Sequence, residues 1–254
     1  MKCKLSIFIL LLFSVSFAQV PGYLGKKFII STGNSFSPSL IDPASSKTFN
    51  GAGFFGIPSL NSTYIFTIDY AISRKFNLCL SVNYLKTGVE YEGVYGNVLG
   101  SALYTGSLST PIQLTSYGAS IAFKVFSRGF VAPVGRYKKF DCGISFASGK
   151  YNNSMFISSD DGTPVGGGSG DYKAVGVTFG LTVGRQRIFF DKLTVDYGLR
   201  FALTGFISKD QTDSDATTID YPSMIHDAIA TDCNTRLLHH ELVNFVINIG
   251  FIPF

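Results

Sequence analysis

The chain has 254 residues, of which 15% are charged and 15% aromatic, with a formal net charge of +4. An ordinary soluble domain has about 25% charged residues, and the mean hydropathy here is positive, at +0.26. This composition disfavours an ordinary water-soluble domain, because a chain so poor in charge must hide its apolar side chains somewhere other than water.

The first segment, MKCKLSIFILLLFSVSFAQ, has the three-part build of a secretory signal peptide. Lys2 and Lys4 supply the positive start, Leu5–Phe13 is an apolar run, and Ser16 and Ala18 are the small residues before a cleavable bond. The run is shorter than the ~20 apolar residues that a membrane-spanning helix needs. We predict a signal peptide over residues 1–18 and a single domain over residues 19–254.

Eight later segments alternate apolar residues with polar or small ones at a period of two, which predicts strands with one apolar face. In the clearest segment, Phe179 and Leu181 fall on one face and Thr178 and Gly180 on the other. The segments are Lys27–Gly33, Thr63–Ser73, Phe76–Tyr84, Ser116–Val125, Phe140–Ala147, Val175–Gly184, Leu193–Phe201 and Phe245–Phe251.

The face opposite the apolar one is small as well as polar. A surface in water would carry Lys and Glu, whereas the lumen of an eight-stranded barrel is narrow and is filled by side chains. In a membrane barrel the apolar side chains point to lipid and the polar ones to the lumen. We therefore predict an all-β fold, an eight-stranded antiparallel transmembrane β-barrel, rather than a soluble sandwich or lipocalin-like barrel.

The connections between these segments alternate in length. Residues 74–75, 127–136 and 186–191 are short connections, whereas 34–62, 87–111, 149–172 and 205–241 are long ones. Outer-membrane barrels have short periplasmic turns and long external loops. With this assignment the external loops hold thirteen of the seventeen acids, and the periplasmic edge is basic. The pattern predicts a location in the bacterial outer membrane.

The C-terminal segment, NFVINIGFIPF, is apolar to its last residue. The closing strand of a barrel must pair with the first strand, because an open sheet edge is not tolerated in lipid. The register of this segment resembles the terminal signal that barrel-assembly machinery reads in outer-membrane proteins, with Phe251 and Phe254 as its main residues. Pro253 departs from the usual form of that signal.

Several turn segments resemble small outer-membrane β-barrel proteins common in Bacteroidota. These segments are ISRKFNL (72–78), RGFVAPVGRYKKF (128–140) and GRQRIFFDKLTVDYGLRF (184–201), and the opening PGYLGKKF (21–28) fits the same family. The resemblance extends over the mature chain. It implies the barrel fold and the outer-membrane location, and it carries over no catalytic residue.

Five charged residues lie on the strand faces that are predicted to point into the lumen: Asp69, Lys124, Asp141, Asp196 and Arg200. An unpaired buried charge costs several kcal/mol, so we expect these residues to pair with one another, with Arg200 as the best planar partner for a carboxylate. We interpret the group as a structural network that closes the lumen, because eight strands leave no room for an aqueous channel. A gated proton or ion path is the alternative.

The connection before the last strand contains all three histidines, within YPSMIHDAIATDCNTRLLHHE (221–241). Apolar residues follow Pro222 at three- and four-residue spacing, which predicts a short helix from about Ser223 to Ala230, across the external mouth of the barrel.

The candidate contacts for an external partner are His226, His239 and His240. With Cys233 they are residue types that bind zinc, but their spacing is not that of a zinc finger. We predict no metal and no cofactor.

These patterns favour a non-enzymatic outer-membrane barrel with a closed lumen, whose external loops serve surface interaction or envelope integrity. We expect lipid and the assembly machinery as partners and no nucleic acid, and neither the external partner nor the oligomeric state follows from the sequence. One alternative is an outer-membrane enzyme that modifies lipid, for which His239 or His240 with Glu241, at the external rim, is the only candidate group. Another is a soluble periplasmic lipid-binding barrel.

Overall fold

A computed structural model of the chain describes residues 25–38, 60–99, 102–127, 131–153, 168–208 and 221–253. The predicted signal peptide and Phe254 lie outside these residues. The elements are β1 (Phe28–Pro38), β2 (Leu60–Ala71), β3 (Phe76–Leu99), β4 (Ala102–Phe126), β5 (Gly135–Asn153), β6 (Gly168–Phe189), β7 (Leu193–Ser208), α1 (Tyr221–Leu242) and β8 (Val243–Phe251).

The eight strands form one closed antiparallel barrel in chain order, which confirms the predicted fold class. The closure is made between β1 and β8, from Ile30↔Phe251 to Phe36↔Phe245. Because every strand has two neighbours in this region, the barrel has no open sheet edge there.

The barrel has two different ends. At the turn end, residues 72–75, 127–134 and 190–192 connect successive strands, and the chain enters before β1 and leaves after β8. At the loop end, the strands are joined in the pairs β1–β2, β3–β4, β5–β6 and β7–β8. The last turn is tight, with positive φ angles at Phe190 and Asp191 of 53° and 58°.

Apolar side chains cover the outside of the barrel, and polar ones fill the inside. On β6, Phe179 is 63% exposed whereas its neighbour Thr178 is 7% exposed. The other strands repeat the alternation, with Tyr64, Phe66 and Ile68 exposed on β2. The facing that was predicted from the period-two pattern is therefore confirmed, and it is the inverse of a soluble barrel.

The interior is narrow, which explains why so many inward positions are Gly, Ser or Thr. A Cβ atom added at Gly180 would lie 2.6 Å from Asp141 Oδ1, and one at Gly118 would lie 2.3 Å from Asn83 Oδ1. Real Cβ atoms do not approach other atoms so closely, so these positions make room for the polar side chains opposite them.

The predicted long connection at 87–111 is wrong, because most of it is strand. β3 and β4 continue as a paired ribbon to Leu99↔Ala102, and β5 and β6 extend in the same way to Asn153↔Gly168. Alternation detects a strand that has one face in an apolar medium. A ribbon beyond that medium needs no apolar face, and its Gly-, Ser- and Thr-rich sequence carries no such signal.

The predicted helix is present, but its predicted extent and position are wrong. α1 spans 22 residues and runs directly into β8 rather than ending near Ala230. Its second half lies against the inner surface of β1, β3, β6, β7 and β8, so it enters the lumen instead of lying across the mouth. Among the described residues, no helix is long and apolar enough to cross a membrane.

Candidate functional site in the barrel lumen

Lys124 on β4 is the centre of a buried polar group near the turn end, called here the Lys124 network. Its ammonium donates hydrogen bonds to Asp69 Oδ2 at 2.8 Å, Gln186 Oε1 at 2.9 Å and Asp196 Oδ2 at 2.9 Å. Three acceptors use the full donor capacity of a lysine. One side chain therefore ties β4 to β2, β6 and β7 across the lumen.

Tyr137 on β5 completes the Lys124 network. Its hydroxyl donates to Asp196 Oδ1, and its ring centroid lies 4.6 Å from the Lys124 ammonium, within the range of a cation–π contact. Five of the eight strands thus meet at one cation, which closes the turn-end half of the lumen with side chains.

Arg200 on β7 organises a second group, called here the Arg200 network. Its guanidinium forms a two-pronged contact with Asp141 on β5, Nη2 to Oδ2 at 2.8 Å and Nε to Oδ1 at 3.3 Å. The remaining Nη1 donates to Glu241 near the end of α1. The planar fork of arginine suits such paired carboxylate contacts.

All five lumen charges that the sequence singled out are thus in ion pairs, as expected. Arg200 contacts Asp141, whereas Asp69 and Asp196 are both held by Lys124. Sequence reasoning placed Glu241 at the external rim, whereas it lies inside and pairs with Arg200. No motif marks Glu241; its place follows from the entry of α1 into the lumen.

His240 is also inside, so its predicted role as an external contact is wrong. Its side chain is 3% exposed, and its two ring nitrogens share hydrogen bonds with Ser37 on β1 and Thr63 on β2. One nitrogen donates and the other accepts, as in a neutral imidazole. Burial lowers the pKa of this helix residue to about 4, since the charged form loses its water.

Three other residues that the sequence singled out lie on α1 and β8. His239 is half-buried on α1, and the side chain of His226 lies outside the described part of the structure. On β8, Phe251 points outward and is half exposed. The predicted terminal signal includes Phe254, which is outside the described residues.

Apolar packing fixes α1 within the lumen at the loop end. Four helix residues join inward-facing residues of β3, β4, β5 and β6 in one buried cluster, called here the helix core. Its members are Leu85, Val89, Ile112, Leu114, Ala147, Tyr172, Ala174, Ile229, Ala230, Cys233 and Leu237. Two polar contacts flank it, from Tyr172 to Asn234 and from Arg236 to Asn61. α1 is therefore a plug that is packed like a protein interior.

A small polar cavity separates the Arg200 network from the strands around it. Its volume is about 40 Å³, which is room for roughly three water molecules. Two cations, Lys139 and Arg200, and two carboxylates, Asp141 and Glu241, lie along its wall, with Ser, Thr and Asn side chains between them. Its charges balance, so the cavity does not present the one-sided field of an ion-selective path.

The chemistry of the described residues is that of a closed structural interior. In the described ranges, no group of three or more His, Cys, Asp or Glu side chains is arranged to hold a metal ion. Cys79 and Cys233 are buried and Cys142 is exposed, and all three are free thiols. The Ser37–His240 contact has the residue types of an activated nucleophile, but Ser37 is completely buried.

No family model and no curated protein matches the chain. Among solved structures, it is similar to Ail, the attachment invasion locus protein of Yersinia pestis, with a TM-score of 0.36 and 8% identity over 89% of this chain and 97% of that one. Ail in complex with the heparin analogue sucrose octasulfate gives 0.33 and 10%. The N-terminal β-barrel domain of Pseudomonas aeruginosa OprF gives 0.29 and 13%, with the same coverage. At these scores and identities the likenesses carry no argument about function.

Proposed function

We propose that the protein is an integral outer-membrane barrel whose lumen is closed, and that it acts through the strands and loops of its loop end rather than as a channel or an enzyme. The observation that carries this proposal is the inverted polarity of the barrel. Apolar side chains cover its outside, and two ion-pair networks fill its inside.

The height of the apolar band supports a membrane location. The exposed apolar residues extend from Tyr64 on β2 to Ile72, the residue after β2, which is ~27 Å along an extended chain. A strand tilt of ~40° reduces this to ~20 Å along the barrel axis, close to the ~25 Å band of outer-membrane barrels.

Aromatic residues border this band at the loop end. Tyr64, Tyr84 and Tyr117 stand side by side on β2, β3 and β4, with ring centroids 6.4 and 4.9 Å apart. Such rings collect at the level of lipid headgroups, because one end of each is apolar and the other is polar. The row is in the position expected of the outer boundary of the lipid.

The interior supports a closed barrel rather than a pore or a lipid-binding pocket. The Lys124 network obstructs the turn-end half, and α1 obstructs the loop-end half. A soluble lipid-binding barrel needs an apolar cavity that opens to the ligand, whereas the cavity beside Arg200 is small and polar, and polar side chains fill the described interior around it. Glu241 and His240, the candidate groups for a lipid-modifying enzyme, are engaged in these internal contacts.

Fractionation of cells that produce the chain tests this proposal. The protein should resist carbonate extraction from outer membranes and should migrate differently on gels before and after heating, as closed barrels do. In planar bilayers it should give no steady conductance of porin size. Recovery in the soluble periplasmic fraction, or a stable open channel, would overturn the proposal.

Deletion of the gene tests the enzymatic alternative separately. The acyl composition of lipid A and of the phospholipids should be unchanged in the deletion strain, since no described group is exposed in a catalytic arrangement. A specific change in acylation that the wild-type gene restores would establish the enzyme instead.

A further inference from the structure

The β3–β4 ribbon, residues 86–99 and 102–112, projects beyond the closed barrel with two edges that lack strand partners among the described residues. β2 stops pairing with β3 at Thr63↔Leu85, and β5 stops pairing with β4 at Gln113↔Lys150. Beyond these points, within the described ranges, β3 and β4 pair only with each other. The ribbon extends the strands by roughly 45 Å along their length.

The register determines which backbone groups of β3 point to its free edge. At the turn end, Phe126 N–H donates to Lys75 C=O, so odd-numbered residues of β3 bond to β4, whereas the C=O of Phe76 accepts from Ile72 on the β2 side. Backbone groups alternate in direction along a strand. The β3–β4 register is continuous to Leu99, so the even-numbered residues from Gly88 to Val98 present N–H and C=O groups at the free edge.

The two free edges of the ribbon differ in a way that matters for pairing. By the same alternation, odd-numbered residues of β4 face its outer edge, and Pro111 is one of them. Proline has no N–H, and proteins use it to protect edge strands from pairing. The β3 edge from Gly88 to Leu99 contains no proline, so its row of outward N–H groups is uninterrupted, whereas the β4 edge lacks a donor at Pro111.

Contacts with the plug support the base of this edge. Val89 on β3 and Ile112 on β4 belong to the helix core, and Thr87 Oγ1 donates to Asn61 Oδ1 at 3.1 Å. A strand that is held in place before binding loses less conformational entropy when it acquires a partner. The base of the ribbon is therefore held in place by the barrel and by α1.

We propose that the β3 edge from Gly88 to Leu99 is a docking site for an extended segment of another polypeptide, which binds as an added strand. Unpaired N–H and C=O groups at strand spacing are complemented by another extended backbone. The edge segment carries Glu90 and Glu92 and no base, so the partner segment is basic or neutral rather than acidic. The inference deepens the proposed function, since it requires the ribbon to project from the membrane.

A second copy of the chain is a poorer occupant of this edge. Two copies in one membrane point their ribbons in the same direction, so their β3 edges meet as parallel strands. Glu90 and Glu92 of both copies would then lie side by side, and like charges at neighbouring ladder positions are destabilising. The docking segment therefore belongs to a different polypeptide.

A pair of opposed residues provides matched variants for a test. Val94 on β3 and Ser107 on β4 face each other in the register, and both direct their N–H groups to free edges. Val94→Pro removes an N–H from the proposed docking edge, and Ser107→Pro removes one from the opposite edge at the same height. Both proteins should show heat-modifiable migration, which confirms that the barrel has formed.

The probe is a phage-displayed library of short linear peptides, selected against the refolded protein in liposomes. Selected peptides should be rich in β-formers, basic or neutral, and should lose at least ~10-fold in affinity for Val94→Pro but not for Ser107→Pro. Methylation of single backbone nitrogens in the best peptide should weaken binding at every second position, because only alternate N–H groups of a strand face its neighbour.

The inference would be overturned if the peptides bound equally well to both proline variants, or lost the same affinity in both. It would also be overturned if the effect of methylation did not repeat at every second position, or if no peptide were selected whose binding Val94→Pro weakens. A wild-type dimer that Val94→Pro dissociates would replace the separate partner with a second copy. A barrel that inserts in liposomes but fails these tests overturns this inference alone, whereas failure to insert overturns the proposed function.

Discussion

Replacing Lys124 with Met should destabilise the barrel more than any other single loss of charge in the lumen. The change removes one ammonium that joins two carboxylates, Asp69 and Asp196, whose side chains are 4% and 11% exposed. Methionine has a similar length and no charge, so packing is kept while the ion pairs are lost.

The magnitude follows from the geometry. Both carboxylate oxygens lie within 2.9 Å of Lys124 Nζ, so they are less than ~6 Å apart, and at an effective dielectric constant of ~20 their repulsion without the lysine is ~3 kcal/mol. The lost hydrogen bonds to Asp69, Asp196 and Gln186 add to this. We expect a loss of roughly 3–5 kcal/mol in the free energy of unfolding, the range measured when one partner of a buried pair is removed.

The assay is urea unfolding in lipid vesicles, followed by circular dichroism and by heat-modifiable migration, because the chain contains no Trp to report by fluorescence. Lys139→Met is the matched control. Lys139 also lines the lumen, on the strand next to Lys124, but within the described part of the chain it forms no ion pair, and we expect its loss to cost less than ~1 kcal/mol.

A triple variant, Lys124→Met with Asp69→Asn and Asp196→Asn, should recover most of the lost stability, because a neutral set leaves no unpaired charge. The reasoning is refuted if Lys124→Met is no more destabilising than Lys139→Met. It is also refuted if the triple variant is less stable than Lys124→Met alone.

Three further predictions concern other parts of the lumen. Gly180→Ala should destabilise by about 1–3 kcal/mol, because its Cβ would meet the Asp141 carboxylate at 2.5–2.6 Å, whereas Gly205→Ala, which meets nothing within 4 Å, should be neutral; urea midpoints compare the two. Leu237→Ala in the helix core should cost roughly 2–4 kcal/mol in the same measurement, and Leu238→Ala, on a half-buried residue, should cost clearly less; equal effects would mean that α1 does not pack as described. The pKa of His240 is lowered from 6.5 to about 4, so below pH 6.5 the unfolded chain takes up a proton that the folded chain excludes. Stability should therefore fall by ~2 kcal/mol between pH 7.5 and pH 5, and His240→Asn should remove most of this slope while His239→Asn should not.

The outward-facing residues of the barrel could be predicted from the sequence, because side chains that face lipid must be apolar. Each outward residue, such as Phe179 or Ile144, must be apolar, and its neighbours must fit a narrow lumen, so a period of two survives in every membrane strand. Strand number, facing and closure between β1 and β8 all follow from that period. The β3–β4 ribbon was not predicted, because a strand outside the lipid needs no apolar face and its sequence therefore need not alternate.

The interior pairings could not be read in the same way. Lys124 reaches Asp69 on β2 and Asp196 on β7, although its ladder neighbours are Asn77 and Lys139. These contacts depend on how far the strands are staggered around the closed barrel. The alternation of the sequence shows which face a residue lies on, but it does not determine the stagger. Either lysine or arginine was therefore a compatible partner for each acid, and the sequence alone did not distinguish them.

The length of α1 was underestimated for a related reason. Residues 223–230 have helical spacing of apolar residues, but the following TDCNTRLLHHEL is mostly polar, and the pattern fades there. That half of the helix is stabilised by partners on the strands, through His240 with Ser37 and Thr63 and through Glu241 with Arg200. A polar helix becomes an interior helix only when a polar lumen receives it.

Cys142 offers the most direct test of the central claim, that this barrel faces lipid on its outside. It is the exposed thiol on β5, between Phe140 and Ile144, whereas Cys79 and Cys233 are buried. The chain without residues 1–18, with Cys79→Ala and Cys233→Ala and a nitroxide spin label on Cys142, should be reconstituted in vesicles and the accessibility of the label measured by power saturation. A label in lipid is relaxed strongly by oxygen and weakly by a water-soluble nickel chelate, and this is the result that we predict. Strong relaxation by the chelate and weak relaxation by oxygen would place this face in water and contradict the account.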